Sequence, residues 1–291
     1  MSVQGETRRI TVPEIRAHKG GKPVVCLTCY HAHTARLLDS HVDLMLVGDT
    51  LGMVIHGMET TLSVTLEMMI LHGQAVMRGA RHALVVVDLP FGTYEESPEI
   101  AFHNASRIMK ETGCQAVKLE GGTRMAETIR YLTLRGIPVI GHIGFVPYRS
   151  TWVGGVRAIG KTAAEARQVY DAARAYQDAG AIGVEIEIVP AKVAEEINRR
   201  LEKLILISMG SGGGTIQYLF ATDVLGTNPG HIPRHAKVYG NIGKEEARVQ
   251  LLRVEAFKAL HDEVRSRVYP EEKHSLKIKE QELAAFLKGL D

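Results

Sequence analysis

The sequence lacks several features that define large classes of proteins. No apolar run approaches the length of a membrane span, and residues 1–9 are polar, so we expect neither a membrane anchor nor a secretory signal. Only three cysteines occur, which is too few for a disulfide framework and favours a reducing, cytoplasmic location. The net charge is +2 without a long block of one sign, which argues against nucleic acid as the main partner.

Short apolar runs alternate with amphipathic helical segments along most of the chain. The eight runs cover residues 24–29, 44–47, 83–87, 116–120, 137–140, 181–186, 204–207 and 216–221. Strands that alternate with helices indicate parallel βαβ units, and about eight such units in this length predict an α/β fold of the (β/α)8 TIM-barrel type. A doubly wound open sheet is the alternative.

The chain is long enough for one large domain, and we predict a single domain over residues 1–291. The barrel is expected at about 20–242. The segment Thr11-Val12-Pro13-Glu14 has the pattern of a capping box and predicts a short N-terminal helix. The remaining residues, 243–291, have helical patterns and predict a C-terminal helical extension.

Polar side chains stand where the apolar runs end. Six charged or titratable residues from five runs share this position: Asp49, Asp88, Lys118, Glu120, His142 and Glu187. In a barrel the carboxyl ends of the strands converge on one mouth, where active sites lie. Lys118 and Glu120 are two positions apart on one strand and therefore point the same way. A buried salt bridge would explain that pair alone, but the whole set predicts an active site.

The three acidic residues Asp49, Asp88 and Glu120 predict a magnesium site at this mouth. Like charges this close raise each other's pKa unless a cation lies among them. Oxygen ligands without a cluster of Cys or His suit Mg²⁺. Lys118 would bind an anionic group of the substrate.

A metal that chelates a 2-oxo acid makes the adjacent carbon acidic. Glu187, on another strand, is then the candidate base that takes the proton. His142 could bind the substrate carboxylate, although a structural role at the barrel end is the alternative.

Five motifs carry a resemblance to a known family. They are Val47-Gly48-Asp49-Thr50-Leu51-Gly52-Met53, Asp88-Leu89-Pro90-Phe91, Val117-Lys118-Leu119-Glu120-Gly121-Gly122, Gly141-His142-Ile143-Gly144 and Glu187-Ile188-Val189-Pro190. In these motifs, and in their order over about 11–274, the chain resembles the ketopantoate hydroxymethyltransferases of the phosphoenolpyruvate mutase and isocitrate lyase superfamily.

The resemblance implies an Mg²⁺-dependent transfer of hydroxymethyl from 5,10-methylenetetrahydrofolate to 3-methyl-2-oxobutanoate, in pantothenate synthesis. It implies a homo-oligomer, commonly a decamer. By motif, the metal would lie among Asp49, Asp88 and Glu120, and Glu187 would accept the proton. Contacts to the oxo acid would come from Asp49, Thr50, Asp88 and Lys118.

Parts of the surrounding pocket depart from the family pattern. Thr50 replaces the usual Ser, and His31 replaces the usual Asp. The late glycine-rich motif reads Ser208-Met209-Gly210-Ser211-Gly212, followed by Thr215-Ile216-Gln217 instead of Asp-Gly-Gln, and Val146-Pro147-Tyr148 replaces Thr-Pro-Gln. A related enzyme that makes or breaks a C–C or C–P bond beside another 2-oxo acid is therefore the alternative function.

Two other motifs suggest different functions. Residues 155–162 match the P-loop pattern of nucleotide-binding proteins, but the residues before them make a poor strand. Cys26 and Cys29, followed by His31 and His33, suggest zinc, but buried free cysteine is common in such a run. A metal-binding scaffold without activity is a further alternative, which the retention of so many charged site residues disfavours.

Overall fold

The protein forms a closed barrel of eight parallel strands, in the order β1 to β8. The computed structural model describes residues 8–228 and 230–290. The strands are β1 Val24–Thr28, β2 Leu44–Val47, β3 Leu84–Asp88, β4 Ala116–Lys118, β5 Val139–Gly144, β6 Gly183–Glu187, β7 Ile205–Met209 and β8 Ile216–Leu219. The predicted (β/α)8 barrel is confirmed, and the open-sheet alternative is wrong because β1 pairs with β8.

Helices connect the strands, and further helices precede and follow the barrel along the chain. They are α1 Val12–Ala17, α2 Ala32–Leu38, α3 Leu51–Val54, α4 Leu66–Gly79, α5 Pro98–Thr112, α6 Ala126–Thr133, α7 Ser150–Val153, α8 Ala163–Asp178, α9 Ala191–Arg200, α10 Ala221–Leu225, α11 Ile242–Arg265 and α12 Glu280–Lys288. Short 3₁₀ turns cover Thr61–Ser63, Gly122–Met125, Pro147–Arg149 and Glu272–His274.

Several helices begin where the sequence supplies a capping group. The side chains of Thr65, Ser97 and Thr162 accept hydrogen bonds from the first-turn amides of α4, α5 and α8. The predicted capping box of α1 is also confirmed, because the Thr11 amide donates to the Glu14 carboxylate at 2.8 Å. Such side-chain acceptors satisfy amides that have no partner within the helix.

Strands β2, β3, β4, β6 and β7 are buried on both faces, and the alternation of side chains decides which residues point into the barrel. In β3, Leu84 and Val86 belong to the apolar cluster inside the barrel, whereas Val85 and Val87 pack against the surrounding helices. Because side chains alternate along a strand, Asp88 continues the inward row. The inward rows are thus apolar at the bottom of the barrel and charged at the carboxyl ends of the strands.

Two compact units make up the chain. Among the described residues, one unit contains 8–224 and 231–237 and includes the barrel; the other contains 225–228, 230 and 238–290, with α11 and α12. In α11 large apolar side chains such as Leu251 and Phe257 are exposed. No helix among the described residues is both long and apolar enough to cross a membrane. The prediction of a single domain over 1–291 stays a prediction.

Candidate active site

All seven predicted site residues line one cavity of about 730 Å³ at the barrel mouth. The register brings them together, since Asp88 of β3 pairs with Lys118 of β4, and Gly144 of β5 pairs with Glu187 of β6. The set contributed by the strand ends and the turn after β2 is Asp49, Thr50, Asp88, Lys118, Glu120, His142 and Glu187. Apart from the half-buried Thr50 they are buried.

The strand ends form the floor of this cavity. Lys118 lies at the centre of the floor and is surrounded by carboxylates. Its Nζ donates to Asp88 Oδ2 at 2.8 Å and lies 3.5 Å from Glu120 Oε1 and 3.6 Å from Glu185 Oε2. Burial by itself would lower the pKa of Lys118, but the charges of these carboxylates outweigh it and raise that pKa well above its usual value. The ammonium therefore stays charged and compensates the buried acids.

His142 joins two carboxylates through its two ring nitrogens. Nδ1 lies 2.9 Å from Glu120 Oε1, while Nε2 lies 2.8 Å from the carbonyl oxygen of Phe145 and 3.3 Å from Glu187 Oε2. Burial lowers the pKa of His142, yet the charges of Glu120 and Glu185 raise it well above its usual value. For Glu120 the opposing effects of burial and of His142 and Lys118 leave a pKa of about 2. An imidazolium between carboxylates is the consistent state.

The acidic residues also fit a divalent cation. Asp88 is 3% exposed, and its Oδ1 has no hydrogen-bond partner among the described residues. Burial and the nearby charges of Glu120 and Asp88 raise the pKa of Asp49 well above its usual value. A hard cation would give the buried Asp88 Oδ1 a partner. It would also compensate the negative charges around Asp49.

A second group of potential metal ligands lies at the same mouth. Donor atoms of His142, Glu185 and Glu187 all lie within 4.8 Å of one another. His142 is already engaged by Glu120 and Phe145, so this group resembles an ion-pair network more than an open metal site. Of the two sets, Asp49, Asp88 and Glu120 supply only oxygen donors, which Mg²⁺ prefers.

Glu185 is a site residue that the sequence analysis did not identify. It stands two positions before Glu187 in β6, is 3% exposed and lies beside Lys118. Burial is the main cause that raises its pKa to about 7, against the opposing charges of Lys118 and His142. The strand alternation that placed Lys118 and Glu120 on one face could have found it, because Glu185 and Glu187 are related in the same way.

The turn after β2 supports the site through a close backbone approach. The Asp49 amide donates to Asp88 Oδ2 at 3.2 Å, and the hydroxyls of Thr50 and Tyr30 lie 3.0 Å apart. A Cβ added at Gly48 would lie 3.0 Å from the Thr50 hydroxyl oxygen and 3.6 Å from Asp88 Oδ2. Glycine at this position therefore leaves room for both groups.

The backbone around Glu187 is tightly constrained. Gly144 has φ of +89°, and a Cβ there would lie 2.3 Å from the Glu187 carbonyl oxygen, which only glycine avoids. The next residue after the acid, Ile188, has φ of +50°, an unfavourable conformation for a β-branched residue. Strain of this kind is often found next to functional groups, where the surrounding structure maintains it.

The P-loop interpretation of residues 155–162 is wrong. Helix α7 ends at Val153 just before the segment, where a P-loop would need a strand. The Glu165 carboxylate accepts hydrogen bonds from the amides of Gly160 and Lys161 and pairs with Arg157 at 3.0 Å. A carboxylate of the chain thus occupies the amides that would bind a phosphate.

The cysteine motif lacks the properties of a zinc site. Cys26 and Cys29 are buried, and burial raises the pKa of Cys29 to about 12 and that of Cys26 well above its usual value. Cys26 belongs to the apolar cluster inside the barrel and Cys29 to the cluster between the strands and the helices, so the two thiols pack in separate parts of the core instead of around one metal. His31 instead caps α2, where its Nδ1 accepts from the Thr34 amide at 3.3 Å.

Comparisons with known proteins identify the family of the chain. Residues 9–272 match the family model described as Ketopantoate hydroxymethyltransferase. A 3-methyl-2-oxobutanoate hydroxymethyltransferase of Parvibaculum lavamentivorans is 49% identical over 96% of this chain and 99% of its own. One of Maricaulis maris is 52% identical over 84% of this chain and 88% of its own.

Solved structures share the fold at low identity. Phosphonopyruvate hydrolase in complex with oxalate and Mg²⁺ has a TM-score of 0.54 at 12% identity, with 96% of each chain covered. A putative phosphonomutase from Burkholderia cenocepacia has a TM-score of 0.56 at 16% identity, covering 84% of this chain and 99% of its own. The family match and the similarity to curated relatives together show that this chain belongs to the ketopantoate hydroxymethyltransferase family of enzymes.

Proposed function

We propose that the protein transfers a hydroxymethyl group from 5,10-methylenetetrahydrofolate to 3-methyl-2-oxobutanoate, with Mg²⁺ as cofactor. The observation that carries this proposal is the unpartnered, buried Oδ1 of Asp88 beside Lys118, in the cavity that Glu187 also lines. This arrangement offers a metal ligand, a cation for the substrate and a base in one place. The names of the relatives supply the substrate.

Asp49, Asp88 and Glu120 would hold the metal. Bound Mg²⁺ would supply positive charge that stabilises the developing negative charge on the oxo oxygen. Lys118 would bind the substrate carboxylate as a fixed cation, because its ammonium is already held by Asp88 and Glu120. The carboxylates keep this ammonium in place before the substrate arrives, which lowers the cost of ordering it.

Glu187 would remove the proton from C3 of the oxo acid. C3 then forms a bond to the one-carbon unit, and water supplies the hydroxyl oxygen. Both C–N bonds that hold this carbon to N5 and N10 of the folate break, and the protons from C3 and from water go to these nitrogens, which releases tetrahydrofolate. His142 has protein partners at both ring nitrogens, so we propose that it orients Glu187 and Glu120. The earlier expectation that His142 binds the substrate carboxylate stays a prediction.

Hydrogen exchange tests this mechanism without the folate. We expect the protein with Mg²⁺ to exchange the C3 hydrogen of 3-methyl-2-oxobutanoate for solvent deuterium, as followed by NMR. Glu187→Gln should slow this exchange about 10²–10⁴-fold, because the general base is lost. Exposed Glu59→Gln is the matched control and should leave the rate unchanged.

If deuterium exchanged only into a different 2-oxo acid, the proposed substrate would be wrong but the proposed mechanism would stand. Exchange that is equally fast in Glu187→Gln would remove Glu187 from its role. No exchange into any 2-oxo acid with Mg²⁺ present would contradict the proposed function as a whole.

We also propose that the protein assembles into a homo-oligomer, a decamer as in its family, and that it functions in the cytoplasm. Exposed apolar side chains on α11 support the assembly, since such surfaces usually mark interfaces. The three free cysteines are compatible with the proposed reducing compartment. Light scattering at low and high protein concentration tests the assembly, and a monomer at all concentrations would contradict it.

A further inference from the structure

The cavity at the barrel mouth is larger than the proposed oxo acid requires. Its volume is about 730 Å³, within the range of about 300–1,000 Å³ that suits drug-sized ligands. The metal ligands and Lys118 occupy only the floor, at the strand ends. A second, larger molecule must therefore fill the outer part if the cavity is used fully.

The outer part differs in chemistry from the floor. Most of the lining surface of the whole cavity is apolar, and it includes the half-buried Phe220, whose ring contacts that of Tyr218 at a centroid distance of 6.1 Å. Val156 and Met53 line the same cavity and are exposed. A flat aromatic ligand fits such a surface, because it buries apolar area against aromatic and aliphatic side chains.

Three basic or imidazole side chains from one segment of the chain also line this cavity, and we call this group the basic wall: His231, Arg234 and His235. His231 and Arg234 are exposed, and His235 is half-buried. Across the part of the chain that the structure describes, none of the three has a carboxylate within 4.0 Å. Among the described residues, no carboxylate therefore pairs with these side chains.

His235 is held in place by a close backbone contact. Gly210 follows β7 with φ of +63°, and a Cβ there would lie 2.9 Å from His235 Nδ1. Only a glycine allows the imidazole to pack this closely on the end of the strand. The basic wall is thus anchored to the barrel at one point, and its side chains face a cavity with five buried acids on the floor.

We infer that the basic wall binds the anionic glutamate tail of the folate co-substrate, with Arg234 as the main carboxylate ligand. This inference rests on the proposed function, because it names where the co-substrate of that reaction binds. The acidic floor repels a polyanion, so positive charge at the mouth is needed to hold the tail. The aromatic part of the folate would lie on the apolar surface between the wall and the floor.

Binding and selectivity between two one-carbon donors test the inference. We expect Arg234→Gln to weaken tetrahydrofolate binding about tenfold in calorimetry, since a charge-assisted hydrogen bond is lost. The ratio of kcat/KM for 5,10-methylenetetrahydrofolate to kcat/KM for formaldehyde, which has no tail, should fall about tenfold as well. Arg36→Gln, an exposed arginine on α2 outside the cavity, is the matched control and should change neither quantity.

An unchanged dissociation constant for tetrahydrofolate in Arg234→Gln would overturn the inference, as would a wild-type protein that binds no tetrahydrofolate. Equal losses with both donors would also overturn it, because formaldehyde has no carboxylate to recognise. The C3 exchange assay uses no folate, so it reports separately whether the proposed function itself fails.

Discussion

The floor and the basic wall of the cavity carry charge in opposite ways. On the floor, the strand ends hold Lys118 and His142 among carboxylates, which form ion pairs with both cations. On the wall, Arg234 and its two neighbouring histidines have no carboxylate partner among the described residues and are at least partly open to solvent. Buried charges need partners within the fold because an unpaired buried charge is costly. Exposed charges are solvated by water and can therefore stay unpaired until a ligand binds.

We expect the largest effect from removal of the Lys118 charge at the centre of the floor. Lys118→Met leaves several buried carboxylates without their partner, so we expect the free energy of unfolding to fall by about 3–5 kcal/mol. Urea titration measures it. Lys118→Arg keeps the charge and should lose less, whereas equal losses in both variants would show that shape, not charge, decides the stability.

Glu185 tests how the floor responds to pH. Its pKa in the folded protein is about 7, above its ordinary value of 4.5, so the folded state keeps a proton that the unfolded chain releases between these values. The free energy of unfolding of the metal-free protein should therefore fall as the pH rises from 4.5 to 7. The expected contribution is of the order of a few kcal/mol, and Glu185→Gln should remove it.

Urea titrations across this pH range, with wild type and Glu185→Gln side by side, measure the difference. Other buried acids such as Asp49 titrate in both proteins, so only the change in slope belongs to Glu185. Identical slopes would mean that Glu185 does not hold a proton in the folded state.

Mg²⁺ affinity should also distinguish the floor from the basic wall, with a smaller effect. Glu120→Gln keeps the size of the side chain but replaces the negative carboxylate with a neutral amide. We therefore expect Mg²⁺ to bind at least about tenfold more weakly. Calorimetric titration measures the dissociation constant. Arg234→Gln changes a charge on the wall and should leave Mg²⁺ affinity within about twofold. A Glu120→Gln protein with wild-type affinity would exclude this residue from the metal site.

The sequence predicted most of the floor for two reasons. Strand periodicity shows which residues share a face, and the carboxyl ends of all strands in a barrel meet at one mouth. Asp88, Lys118 and Glu120 stand at the ends of apolar runs, and eight runs implied one common mouth. Glu185 obeys the same alternation but lies inside its apolar run, so a rule based on the polar residue that ends each run predicts only Glu187. The basic wall was not predicted at all, because residues 231–237 follow no strand pattern and their place depends on the fold.

The sequence by itself determined the barrel and the set of acids at its mouth, because hydrophobic alternation fixes which residues point inward and the strand ends fix their height. Only the tertiary structure decided the partners: that His142 joins Glu120 to Glu187, that Lys118 lies beside Glu185, and that a distant loop faces the cavity. These contacts depend on distances across the barrel and on loop paths, and such distances are not encoded in any local pattern of residues.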